Sequence, residues 1–299
     1  MSQFTRGYAL SLSDGRSWWI ASDGDNIRYA DKMAAIMELE ESTPNGSSKL
    51  IFSSAGNTDD AKNELSNLEL SGSSQRNLRG RWTAYDYKTI RIWHHNRIDD
   101  VICEIKDSSR EYLNIWYSSQ AIFLQSVKLG GLPIHSALLE LNGRGILLCA
   151  PSGTGKSTCC SRLPEYWKPL CDDETLIVSD GEKQYRAQPF PTWSEYLLEP
   201  SGNTWNVQHS VPISGVFFLE QFESDEVIPL GAGQTAAFIS ESVDHVFQKF
   251  WRGMNSNIQK NIRRQFFDNA CKMAMSIPGF YLRASLCGKF WEEIEKACK

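Results

Sequence analysis

The chain lacks several features that would place it in familiar classes. It has no run of about eighteen apolar residues, so no helix is expected to span a bilayer. It has no C-x-x-C pair. Its eight cysteines, at 103, 149, 159, 160, 171, 271, 287 and 298, follow neither a zinc-site nor a disulfide spacing. They read as small buried hydrophobes of a protein kept in a reducing cytoplasm. The first residues, Met1 to Tyr8, lack the basic-then-apolar layout of a secretory signal. There is no excess of positive charge. With 31 basic and 36 acidic side chains the formal net charge is −5, so neither nucleic acid nor an anionic membrane is an expected partner. No internal repeat is visible.

What is present is enough apolar material, 41% of 299 residues, for one large domain or two ordinary ones. The texture changes near residue 125. Residues 1–125 are expected to form an irregular α+β domain with strand-like runs at Trp18–Ala21, Ala84–Trp93 and Val101–Ile105 and a helix over Glu111–Val127. The segment Glu41–Asn77 is rich in Ser, Gly, Asn and Asp, and it reads as long loops with one helix and some mobility. Trp18, Trp19, Trp82, Trp93 and Trp116 fit core packing better than a peptide groove.

From residue 126 onward the pattern sharpens into α/β grammar. Pro133–Leu141 and Gly145–Cys149 read as strands joined by an Asn142-Gly143 hairpin turn. The second is followed by a Gly-rich segment and a helix from Lys156 to Leu163, closed by Pro164. Pro169–Val178 reads as a further strand with acids inside it. Val211–Glu220 holds another apolar run, and Phe280–Leu286 is a late strand. Thr235–Phe250, Asn257–Met275 and Lys289–Cys298 read as helices.

The Gly-rich segment, Ala150-Pro151-Ser152-Gly153-Thr154-Gly155-Lys156-Ser157-Thr158, fits G-x-x-x-x-G-K-[ST] except that Ala150 replaces the first Gly. Gly153 and Gly155 can take backbone angles closed to other residues, turning successive N–H groups inward as an anion nest. Ser152, Gly153, Thr154, Gly155, Lys156, Ser157 and Thr158 are therefore the candidate nucleotide-binding residues. Lys156 would reach the β- and γ-phosphates, and the Ser157 hydroxyl would hold Mg²⁺.

A second signal is Cys171-Asp172-Asp173-Glu174. Two adjacent carboxylates on a strand are expected to point to opposite faces. One would serve the metal and the other an acceptor hydroxyl, which suits phosphoryl transfer. His135 is either a structural histidine or a partner that tunes Asp172.

Together His135-Ser136-Ala137, Leu141-Asn142-Gly143-Arg144-Gly145, the Gly-rich loop and Cys171-Asp172-Asp173-Glu174 resemble the catalytic domain of HPr kinase/phosphorylase. Within it they are most similar to the branch found with ribosomally made, modified peptides, which includes lasso-peptide kinases and the SynChlorMet cassette protein ScmC. Val216-Phe217-Phe218-Leu219-Glu220-Gln221 and Pro229-Leu230-Gly231 are similar to that branch too. The resemblance covers about Leu132 to Cys298. It implies an α/β P-loop kinase domain of the HPr kinase and phosphoenolpyruvate carboxykinase type, with a mixed sheet, over residues 126–299. It implies an ATP- and Mg²⁺-dependent kinase acting on a Ser or Thr hydroxyl of a peptide or small protein, and self-association into an oligomer. Asp172 would be the base, assisted by His135. Lys156 and the loop would bind ATP. Ser157 and Asp173 would hold Mg²⁺.

The chain departs from HPr kinase in lacking the signature loop that carries a further metal-binding acid, for which Glu195 or Glu199 are substitutes. The HPr-docking segment is also missing. Lys249, Arg252, Lys260, Arg263 and Arg264 form a basic stretch that reads as a solvated helix face or as a groove for an acidic peptide. Trp251, Phe266 and Phe267 are expected in the core. Arg283 is expected in a structural ion pair before a phosphate contact. Two other functions compete: a metabolite kinase or carboxykinase-like enzyme, and a non-catalytic nucleotide-binding scaffold of a peptide-maturation complex.

Overall fold

The computed structural model describes residues 6–44, 47–68, 82–179, 184–198 and 202–298. Those residues form an α/β fold with two mixed sheets, divided into two compact units. The first unit takes in residues 1–125, 193–204 and 252–255. The second takes in 126–192, 205–251 and 256–299. None of the described helices is long and apolar enough to cross a membrane.

The first unit is more regular than its composition implies. Its strands are β1 (Gly7–Ser11), β2 (Ser17–Ser22), β3 (Glu40–Ser42), β4 (Ser48–Ser54), β5 (Trp82–Asp86), β6 (Ile90–His95) and β7 (Val101–Ile105), in the order β3-β1-β2-β4-β7-β6-β5. β2, β4 and β7 are parallel neighbours. The helices are α1 (Ile27–Met37), α2 (Thr58–Leu68) and α3 (Glu111–Lys128).

Two expectations fail here. β4 lies in the stretch read as loops. Only its middle, Leu50-Ile51-Phe52, is apolar, and the buried Ser53 is tolerated because its hydroxyl donates to Asp23 (2.6 Å). Ala84–Trp93 is not one strand but the hairpin β5–β6. Residues 45–46 and 69–77, part of the stretch expected to be mobile, lie outside the described residues. Trp18, Trp19 and Trp116 are buried, and Trp82 and Trp93 pack against the Trp19 cluster, so these indoles are core material.

The second unit is built on β8 (Leu132–Leu141), β9 (Arg144–Cys149), β10 (Lys168–Cys171), β11 (Glu174–Ser179), β12 (Tyr185–Phe190), β13 (Val211–Gln221), β14 (Glu226–Leu230) and β15 (Gly279–Ala284). The path through the sheet is β10-β8-β11-β12-β13-β15-β14, with β9 pairing both β8 and β13. β8 and β9 form the expected hairpin. Asn142 (φ 51°) and Gly143 (φ 75°) both take the left-handed backbone that such a turn requires. β9, β13 and β15 run parallel and are buried, as central parallel strands should be.

α4 (Lys156–Arg162) follows β9. Between β12 and β13, α5 (Trp193–Leu198) belongs to the first unit. α6 (Ala232–Phe247), α7 (Ser256–Ala274) and α8 (Phe290–Ala297) complete the second. Phe290 and Ile294 of α8 join Leu148, Phe217 and Leu282 in one core cluster. Phe266 is buried in α7, but Phe267, the next residue, is turned out and 51% exposed, contrary to expectation. Neighbouring residues on a helix differ by about 100° in direction, so both cannot face the core.

β15 and α6 approach closely at Gly279. A Cβ there would sit 2.2 Å from the buried Thr235 Oγ1. Gly279→Ala is expected to cost about 1–3 kcal/mol by overpacking, lowering the melting temperature by about 2–4 °C per kcal/mol. Gly233→Ala, on the open face of α6, should instead stabilise by about 0.5–1 kcal/mol. Thermal unfolding followed by circular dichroism checks both.

Candidate functional site

β9 ends at Cys149, and the chain then turns through the Gly-rich loop into α4. Ala150 sits at the base of the loop with its side chain in the core cluster, so the methyl that breaks the sequence pattern is accommodated by packing. Gly153 (φ 82°) and Gly155 (φ 106°) adopt the left-handed backbone. That is the backbone handedness an anion nest requires, although the Thr154 N–H donates to the Pro151 carbonyl (3.3 Å) within the loop. Ser152 and Gly153 are exposed, Thr154 and Gly155 half-buried, and Ser157 and Thr158 exposed on the first turn of α4. Gln221, at the end of β13, donates to the Thr154 carbonyl (3.1 Å) and fastens the loop to the sheet.

Lys156 is buried. Its Nζ donates to the Ala150 carbonyl (2.8 Å) and lies 2.8 Å from Nε2 of His135. Burial pushes the Lys156 pKa below its ordinary 10.5, opposed chiefly by the charge of Asp173. His135 sits on β8, and its Nδ1 is 3.1 Å from Asp173. An ammonium can only donate, so Nε2 must accept, and Nδ1 carries the proton given to Asp173. The result is a chain Lys156–His135–Asp173. His245 of α6 stacks flat on His135, with centroids 4.3 Å apart and planes 8° apart. Its pKa is lowered, first by burial and then by its neighbours His135 and Lys156.

The paired acids differ from expectation in two ways. They occupy a two-residue bend between β10 and β11, not the interior of one strand. They also do not serve opposite faces. Asp172 accepts from the Ser157 hydroxyl (2.7 Å) and the Thr192 hydroxyl (2.6 Å), while Asp173 pairs with His135. Because Lys156 and Ser157 are adjacent, the bend brings both carboxylates to one cluster at the loop. The pairing of His135 with Asp172 is thereby corrected: its partner is Asp173. The reason is register. Glu174 lies opposite His135, and the Ser136 amide donates to the Asp173 carbonyl (3.1 Å), which sets residue 173 beside the histidine.

Glu195 is in the first unit and accepts from Asn203 (2.6 Å), and Glu199 lies outside the described residues. Arg263 is engaged by Asp244 (2.8 Å) and lies over the Trp251 ring, and Arg264 faces Asp268. Arg283 is held by Glu220 and Glu226, a structural ion pair as expected. Sequence reasoning missed Thr192, Gln221 and His245, each of which enters through a tertiary contact. Among the described residues no group of three or more His, Cys, Asp or Glu side chains is arranged to hold a metal ion. Ser157 and Asp172 offer two oxygens. That suits Mg²⁺, which takes one or two protein oxygens and fills its shell with phosphate oxygens and water.

A family model described as SynChlorMet cassette protein ScmC matches residues 101–299, which include every residue of this cluster. A search of the curated proteins finds none that matches.

Proposed function

The chain belongs to the family described as SynChlorMet cassette protein ScmC, and from its loop chemistry we propose that it is an ATP-dependent kinase of the HPr kinase-like type, which phosphorylates a Ser or Thr hydroxyl of a peptide. The observation that carries this reading is the convergence of Lys156, Ser157, Asp172, Asp173 and His135 at one glycine loop.

ATP with Mg²⁺ supplies the phosphoryl group and the charge neutralisation that its transfer needs. The loop amides and Lys156 bind the phosphate chain. Ser157 and Asp172 would hold Mg²⁺, an assignment supported by their mutual hydrogen bond. Asp173 would take the proton of the acceptor hydroxyl, with His135 holding and orienting its carboxylate. This exchanges the roles that the sequence assigns to the two acids, and the observed partners support the exchange.

Incubation of the protein with ATP, Mg²⁺ and a Ser-bearing peptide should add the mass of one phosphate to the peptide. MgATP affinity, measured by titration calorimetry, should fall as pH rises through the depressed Lys156 pKa. A protonated Lys156 attracts phosphate and a neutral one does not, so the loss comes on the alkaline side, with its midpoint below 10.5. Absence of binding to any nucleoside di- or triphosphate with Mg²⁺ present would end the proposal.

A further inference from the structure

A cavity of about 220 Å³ lies against the site. We propose that it seats the side chain flanking the phosphorylated residue, and that this side chain is apolar and ring-sized with a positive charge beside it. The proposal rests on the kinase reading above and specifies the acceptor.

Position comes first. His135 lines the cavity, and the same ring bridges Lys156 and Asp173. The cavity also touches Ala150 and Pro151, where the loop begins. It therefore adjoins the groups assigned to the terminal phosphate and to the acceptor proton. In a nucleoside triphosphate the base is separated from the terminal phosphate by the sugar and two further phosphates. A cavity at the Lys156–His135–Asp173 chain is at the acceptor's end.

Size and lining come next. Sites for drug-sized ligands run to about 300–1,000 Å³, so this one takes a single side chain. One wall is a stripe on α6, Phe238, Glu241, Ser242 and His245, whose spacing of three, four and seven residues puts them on one helix face. Phe238, the first residue of that stripe, lies 5.1 Å from Phe218 and 5.4 Å from Tyr281 between ring centroids. Three aromatic rings favour an apolar or aromatic occupant.

Charge completes the assignment. Glu241 is exposed at the cavity and has no hydrogen-bond or ion-pair partner among the described residues. The cations that the sequence offers for an acidic substrate are partly spent, since Arg263 is committed to Asp244 and Trp251. Apart from the two histidines, Glu241 is the one acidic or basic side chain among the described residues lining this cavity, and its carboxylate favours a basic neighbour in the acceptor and disfavours an acidic one.

The test uses the full chain and four synthetic peptides, each with one Ser followed by Phe-Arg, Phe-Glu, Gly-Arg or Gly-Glu. Phosphate transfer from ATP is measured alongside calorimetric binding of MgATP and of magnesium inorganic triphosphate, which has no base. The wild type should favour Phe-Arg over Gly-Glu by at least about tenfold in kcat/KM, the scale on which an apolar pocket discriminates. Phe238→Trp, which fills the cavity, should raise KM for the Phe-Arg peptide by about tenfold or more and leave both nucleotide-site affinities within about twofold. Glu241→Lys should reverse the Arg-over-Glu preference. Equal use of all four peptides overturns the proposal, and so does transfer to none of them while MgATP still binds. Weakened binding of MgATP but not of inorganic triphosphate in Phe238→Trp would make the cavity a base pocket and overturn it as well. Failure of the wild type to bind either compound counts against the kinase reading itself.

Discussion

Asp173→Asn is expected to lower phosphoryl transfer by about 10²- to 10⁴-fold, the range supplied by a positioned general base, with MgATP affinity unchanged. The substitution keeps the shape of the side chain and leaves an oxygen to accept from His135 Nδ1, so the cluster should stay in place. What it removes is the basicity that would take the hydroxyl proton. Asp172→Asn should behave differently. Its carboxylate faces the Ser157 and Thr192 hydroxyls. Its loss should raise the Mg²⁺ concentration needed for half-maximal rate and for nucleotide binding. The comparison is made by single-turnover kinetics across a magnesium titration. If Asp172→Asn abolishes transfer at saturating Mg²⁺ while Asp173→Asn transfers normally, the two roles must be exchanged back.

Lys156→Met is expected to weaken MgATP binding by about 10- to 100-fold, because a charge-assisted hydrogen bond is worth roughly 1.5–3 kcal/mol and 1.4 kcal/mol is about tenfold. The fold should survive. The buried ammonium carries a desolvation cost, which is why its pKa is depressed. Methionine removes that cost and keeps the apolar stem. Against this, His135 Nε2 and the Ala150 carbonyl each lose a donor, a penalty of about 1–3 kcal/mol for a buried group left unpaired. The two effects oppose each other, so the melting temperature should move by only a few degrees. Calorimetry and thermal unfolding on the same sample separate binding from stability. Unchanged affinity would remove Lys156 from the phosphate site.

Much of the second unit could be read directly. The β8–β9 hairpin, the glycine turn after it and the helix that follows are written in short-range signals: an Asn-Gly pair, a buried apolar run and two glycines where φ must be positive. Arg283 was legible as an ion pair. The first unit was harder. β4 has three apolar residues flanked by Ser and Lys, and no local pattern separates a short central strand from a loop when its neighbours in the sheet are remote in sequence. Thr192 was invisible for the same reason, because its partner Asp172 is twenty residues away. His245 was too, since only packing lays its ring on His135.

The sequence by itself determined the conformation and chemistry of the loop at 150–158, because backbone handedness, a lysine and a hydroxyl at fixed spacing are properties of consecutive residues. It also determined that two carboxylates stand close in the chain after that loop. Tertiary structure alone decided what each carboxylate meets. Strand register and the bend at 172–173 send one to Ser157 and the other to His135, and one residue's shift in pairing would redistribute both.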